Sequence, residues 1–121
     1  MGACVNEKEI VEIYQGGTKR FFVFLKKKST GEALDLTDAT EITGTFPNED
    51  DTVLDLTVGS GITKEAATSG KIRVEMTVAQ VNALKRDERQ DFQIKSEYAS
   101  ETHVVRFRER MNVYREIGAV S

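Results

Sequence analysis

Hydrophobic and polar residues alternate along most of the chain, the period of a strand with one buried face. "EIVEIY" (9–14) is short and rich in β-branched residues, and "QGGT" breaks it with two glycines. "KRFFVFLKKK" (19–28) puts Phe21, Val23 and Leu25 on one face and Phe22 and Phe24 on the other. "STGE" (29–32) reads as a turn, with Gly31 free to take positive φ. "ALDL" and "EITGTF" are separate extended pieces, the second grouping Ile42, Gly44 and Phe46. "PNEDD" (47–51) is a turn holding the sole proline. "TVLDLTV" (52–58) aligns Leu54, Leu56 and Val58 before "GSG" ends it. "KIRVEMT" (71–77) turns Ile72, Val74 and Met76 inward against Arg73 and Glu75.

One segment changes period. "TVAQVNALK" (77–85) spaces Val78, Val81 and Leu84 three apart, roughly one helical face. Thr77 and Gln80 stand at capping-box spacing, so two helical turns are expected over one end of the core. "RDERQ" (86–90) follows as a charged loop. The chain closes on two long strands joined by a tight turn near Ser100–Glu101. Phe92, Ile94 and Tyr98 line one face of the first; Val105, Phe107, Met111 and Val113 line one face of the second.

About seven or eight short strands with frequent turn signals predict an all-β fold. The expected form is an antiparallel, immunoglobulin-like β-sandwich with one short helix near residues 78–85. A closed small barrel is the alternative. There is no Cys…Trp…Cys spacing of a true immunoglobulin domain. The length of 121 residues favours a single domain, 1–121, with residues 1–8 expected as a mobile arm and 118–121 as a tail.

Composition narrows the function. Apolar residues make up 39% and charged residues 31%, which fits a folded soluble chain. The net charge of −3 offers no global attraction to nucleic acid or an anionic membrane, so neither is expected as a partner. Cys4 is the single cysteine and cannot form an internal disulfide or a thiolate zinc site. No apolar run reaches membrane-spanning length, and the start lacks a signal-peptide pattern. His103 is the only histidine, and no nucleophile motif accompanies it. The acids of "NEDD" and "DER" read as solvated turns without calcium-loop spacing. No catalytic residue, metal ligand or cofactor site is assigned, and an enzyme is not expected.

Two surfaces are singled out as candidate protein interfaces. Phe22 and Phe24 face away from Phe21, Val23 and Leu25; they need either a cover from the chain itself or a second subunit. Arg106, Arg108 and Arg110 share one strand face at period two. With a two-residue turn they would lie opposite Lys95, Gln93 and Asp91, and His103 opposite Tyr98. The stripe is then a solvated face with partial ion pairing, or a dock for an anionic partner surface.

The order of the segments resembles a small β-sandwich domain of tailed-bacteriophage virion proteins, similar to the N-terminal domain of phage baseplate upper proteins. The residues that carry the likeness are "GGTKRFFVFLKKKSTGEALDLTDATEITGTF", "TVLDLTVGSGIT", "SGKIRVEMTVAQVNAL" and "DFQIKSEYASETHVVRFRERMNV", together roughly 16–113. Asp38 stands where the family's "DLTGAT" has glycine. The resemblance implies a non-enzymatic structural component of the virion, made in the bacterial host cytoplasm. It also implies partners among its own copies and other virion proteins, with tail or baseplate first and neck or capsid decoration after. A carbohydrate- or receptor-binding sandwich is the alternative function.

Overall fold

The computed structural model describes residues 4–5, 10–27 and 30–114, with side chains from Ile10 onward. The strands are β1 (Cys4–Val5), β2 (Val11–Tyr14), β3 (Lys19–Phe24), β4 (Glu41–Pro47) and β5 (Val53–Val58). They continue as β6 (Gly61–Ala66), β7 (Lys71–Met76), β8 (Gln90–Glu97) and β9 (Thr102–Tyr114). A 3-10 turn covers Ala67–Ser69, and α1 covers Val78–Ala83. The expected arm and tail lie outside the described residues, except that Cys4–Val5 forms β1.

All the strands belong to one sheet, in the order β1-β3-β7-β6-β5-β4-β8-β9-β2. β3 and β2 stand near opposite margins of that order, yet only Gln15–Thr18 connect them. Such a link spans at most roughly 18 Å. The sheet therefore curls until its margins approach, giving a nearly closed barrel with one continuous ladder.

The all-β class matches the sequence reading, but the purely antiparallel pairing does not hold. β1 runs parallel to β3, β2 parallel to β9, and β5 parallel to β6. The first two pairs join chain segments with no hairpin between them, so no turn geometry forces them antiparallel. The third is one extended run that steps sideways at Gly59–Gly61. Its parallel contact is confined to Thr57–Gly61 and Val58–Ile62. Gly61 has φ 103°, and a Cβ there would lie 2.8 Å from Leu56 Cδ2. The step needs glycine twice over.

The inward-facing residues of the strands form one buried cluster. Its centre is aromatic. Phe46, Phe92 and Phe107 come from the neighbouring strands β4, β8 and β9. Phe92 stacks on Phe107 at 4.6 Å and 8°, and on Phe46 at 5.3 Å and 19°. Phe21 meets Phe46 and Phe92 edge-on from β3, across the barrel. Parallel-offset and edge-on contacts both suit the ring quadrupoles.

Two segments plug the ends. "ALDLTDAT" is irregular rather than extended, and buries Leu34, Leu36 and Ala39. The Leu34 N–H donates to the Leu25 carbonyl, and the Leu36 N–H to the Ala67 carbonyl, at 2.9 and 2.8 Å. Asp35 accepts from the Thr37 N–H at 2.9 Å and from its hydroxyl at 2.6 Å, closing a local turn. Those bonds, the hydroxyl's foremost, hold the Asp35 carboxyl below its ordinary range. The Tyr98 hydroxyl donates to the Asp35 carbonyl at 2.7 Å and ties the plug to the closing hairpin. Asp38 does not take positive φ, so this turn works without a glycine.

At the other end, α1 carries the expected capping box. The Gln80 N–H donates to the Thr77 hydroxyl, and the Thr77 N–H to Gln80 Oε1. Val81 and Leu84 are fully buried. Val78, expected beside them, is 42% exposed: it opens a helix of six residues, and only the second turn reaches the core. Helix carbonyls left without intrahelical donors are met by the β2–β3 turn, where Gln15 Nε2 donates to the Asn82 and Leu84 carbonyls.

The closing hairpin turns one residue earlier than expected, about Ala99–Ser100. The Tyr98 N–H donates to the Glu101 carbonyl, and Glu97–Thr102 is the last ladder pair. The register slides by two, so Arg106 faces Gln93 and His103 faces Ser96. The ladder then breaks. Phe92 pairs with Phe107 but Gln90 pairs with Met111, so Asp91 alone opposes Arg108, Glu109 and Arg110. Glu109 takes φ 55°, and its N–H donates to Asp91 Oδ1. Beyond this bulge Met111 still faces Gln90 of β8, while Met111–Tyr114 pair with β2 on the other edge.

Gly70, with φ 69°, is backed by the Leu25 and Leu34 carbonyls, and a Cβ there would lie within 2.8 Å of both. Gly70→Ala should therefore lower urea-unfolding stability by well over ~1 kcal/mol, whereas Gly17→Ala, which meets nothing, should stay near neutral. At the helix end, Thr77→Ala should cost about 1 kcal/mol. Val81→Asp should cost several times more, because its carboxylate would be buried without a partner. Equal, small losses would show that α1 is not a plug.

Candidate functional site

The candidate residues fall on two outer surfaces. The first is the outside of β3, β7 and β6. Phe21, Val23 and Leu25 are buried, and the alternation of β3 leaves Phe22 and Phe24 half-buried outside. Register places Phe22 opposite Arg73 and Phe24 opposite Lys71. The Lys71 ammonium sits 4.6 Å from the centre of the Phe22 ring and 5.7 Å from that of Phe24. At such a half-exposed place the contact is worth about 0.5–1 kcal/mol.

Charges frame these rings. Arg20 donates to Glu75 Oε2 at 3.1 Å, Arg73 Nε lies 3.2 Å from Glu75 Oε1, and Arg73 Nη1 lies 3.6 Å from Glu65. The rings are thus an apolar strip beside a neutralised ionic network. An adjoining hollow of about 730 Å³ has Lys19, Arg20, Glu75 and Gln80 among its walls.

The second surface follows β9. A groove of about 590 Å³ runs along that strand, and Lys26, Lys27 and Gly31 form its far wall. Arg106, Arg108 and Arg110 all line it, with His103, Val104, Val105 and Phe107. The displaced turn puts Arg106 opposite Gln93 rather than Lys95, and the bulge sets Arg108 and Arg110 together against Asp91. Arg106 and Arg108 are exposed and Arg110 is half-buried. Lys26, Lys27, Arg106 and Arg108 make no ion pair among the described residues. His103 lies 3.4 Å from Glu101 and edge-on to Tyr98.

The sequence reading singled out the arginines but not Lys26 and Lys27. The "LKKK" run was their only signal, and nothing local says which strand lies across from it. It also missed the pair Tyr14–Tyr114, stacked at 5.0 Å where β2 meets β9, with Tyr14 50% exposed. Among the described residues no cluster of His, Cys, Asp and Glu is arranged to hold a metal ion. Their helices include none long and apolar enough to cross a membrane.

No protein-family model matches this sequence, and no curated protein matches it.

Exposed charges contribute little to folding, typically under ~1 kcal/mol each. Arg106→Ser combined with Arg108→Ser should therefore move the thermal midpoint by no more than about 5 °C in a calorimetric scan. A larger fall would make the stripe part of the fold rather than a surface for something else.

Proposed function

We propose that this chain is a non-enzymatic structural component of a tailed-phage virion, placed in the tail, baseplate or neck. It assembles through protein–protein contacts with its own copies and with other virion proteins. Neither nucleic acid nor a membrane is its direct partner. On this reading the curled sheet is a flattened barrel of the immunoglobulin-like sandwich kind. The virion assignment is supported by the order of motifs over 16–113. The assembly mode is supported by one observation, the half-buried Phe22 and Phe24 on the outer face of β3. An apolar strip rimmed by charge is the usual anatomy of a subunit contact.

A second reading, a glycan- or receptor-binding module, is favoured by the exposed Tyr14–Tyr114 stack, the kind of flat platform on which a sugar ring packs.

Size and mass measurement in solution should find an oligomer for the wild type. Phe22→Asp should retain the β-sheet signature and return the monomer, since a charge in an apolar contact costs roughly 2–5 kcal/mol. A monomeric wild type, or a mutant that unfolds, would remove the subunit contact. A glycan array with Tyr14→Ala as control separates the second reading, and co-purification with phage particles tests the first directly.

A further inference from the structure

β9 is far longer than the strand beside it. β2 pairs only with Met111–Tyr114, and β8 takes the other edge. Among the described residues no strand pairs with the outer edge of β9 over Thr102–Arg110. Alternation fixes which groups point there. The Glu97 carbonyl accepts from the Thr40 N–H, on the β4 side, so the Glu97–Thr102 pair is not a hydrogen-bonded one. It follows that Thr102, Val104 and Arg106 aim their N–H and C=O groups away from β8, into the groove.

The walls of that groove fit one kind of occupant. Outward side chains at the edge are Val104, Arg106 and Arg108, and Lys26 and Lys27 stand opposite. The lining contains no Asp or Glu, although the chain as a whole carries −3. Beneath the charges, Val105 and Phe107 give the groove an apolar floor. Val104 is 51% exposed, unusual for a valine in the longest strand of a sheet.

We propose that the free edge of β9 accepts an extended segment of a partner protein as an added strand. That segment carries carboxylates at alternate positions, with apolar side chains between them. Its backbone pairs with Thr102, Val104 and Arg106. Its carboxylates meet Arg106 and Arg108 in two-pronged hydrogen bonds, with Lys26 and Lys27 as added countercharge. Its apolar residues face Val105 and Phe107. The proposal rests on the reading of the chain as an assembly protein and supplies the chemistry of one of its partners.

The test uses the full chain and a synthetic peptide of eight residues alternating glutamate and valine. In the free protein, the amides of Thr102, Val104 and Arg106 should exchange quickly with deuterated water, and those of His103, Val105 and Phe107 slowly. The peptide should slow the first set selectively. Arg106→Ser and Arg108→Ser should each weaken binding about tenfold. N-methylation of alternate peptide amides should abolish binding in one frame and spare it in the other.

Four results would overturn the proposal. One is no protection at saturating peptide. Another is equal binding of a lysine–valine peptide or of oligoglutamate, which would remove strand pairing or charge as the basis. A third is tighter binding of an oligothymidylate with a steep salt slope, which would make phosphate the ligand. The last is aggregation of the arginine variants without peptide binding by the wild type, which would make the stripe a guard against edge pairing. None of these depends on oligomer size or particle incorporation, so each stands apart from the test of the virion reading.

Discussion

The row of rings formed by Phe46, Phe92 and Phe107 is the constraint on which the rest of the molecule depends. Three adjacent strands each contribute one ring, and the central ring, Phe92, stacks on the other two at 4.6 and 5.3 Å. Stacking at that distance tolerates no slip, because a one-residue shift would carry a ring to the outer face. The register of β4, β8 and β9 is thereby locked at the core. Phe21 extends the constraint across the barrel by its edge-on contacts, which hold β3 at a fixed distance from that row. The outer surfaces inherit their geometry from this interior. Phe22 is outside because Phe21 is inside, and Arg106 and Arg108 flank the groove because Phe107 is in the stack.

Much of this interior was legible in the chain. Alternation around Phe21, Ile42, Phe46, Ile72, Val74, Phe92 and Phe107 assigned each to the core, and burial bears that out. The capping box at Thr77 was equally plain, since both partners lie within one turn. What failed was information that does not live in local sequence. The hairpin turns about Ala99–Ser100 rather than Ser100–Glu101, and this displacement by one residue moves the partner of Arg106 by two, from Lys95 to Gln93. Composition around Ala99–Ser100 suits either turn. β6 was missed because "GITKEA" offers a single strongly apolar inward residue, Ile62. The parallel pairings of β1 and β2 join distant parts of the chain and leave no turn signature. The basic groove was half legible for the same reason: its arginines sit on one strand, while Lys26 and Lys27 reach it only because the sheet curls.

The two end plugs show how a nearly closed sheet avoids open mouths with few residues. One end uses irregular backbone whose polar groups are met by Leu25 and Ala67, with the Asp35–Thr37 turn keeping the chain tight. The other uses less than two turns of helix, completed by Gln15 and Gly16 from a neighbouring connection. In both cases a side chain far away in sequence secures the plug, Tyr98 at one end and Gln15 at the other. Partial burial pushes the Tyr98 phenol above its ordinary pKa, so it stays a donor throughout the neutral range.

The bulge at Glu109 has a consequence for how this chain can change length. It places three residues of β9 against one of β8, an excess of two. Because side chains alternate with period two, an even excess leaves the inside-outside order intact beyond it, and Met111 and Val113 remain buried. Beyond the corner the inward positions are set by the Gln90–Met111 pair rather than by strict counting, so a change of length confined to Arg108–Arg110 would reshape the bulge and leave Met111 and Val113 on the core side.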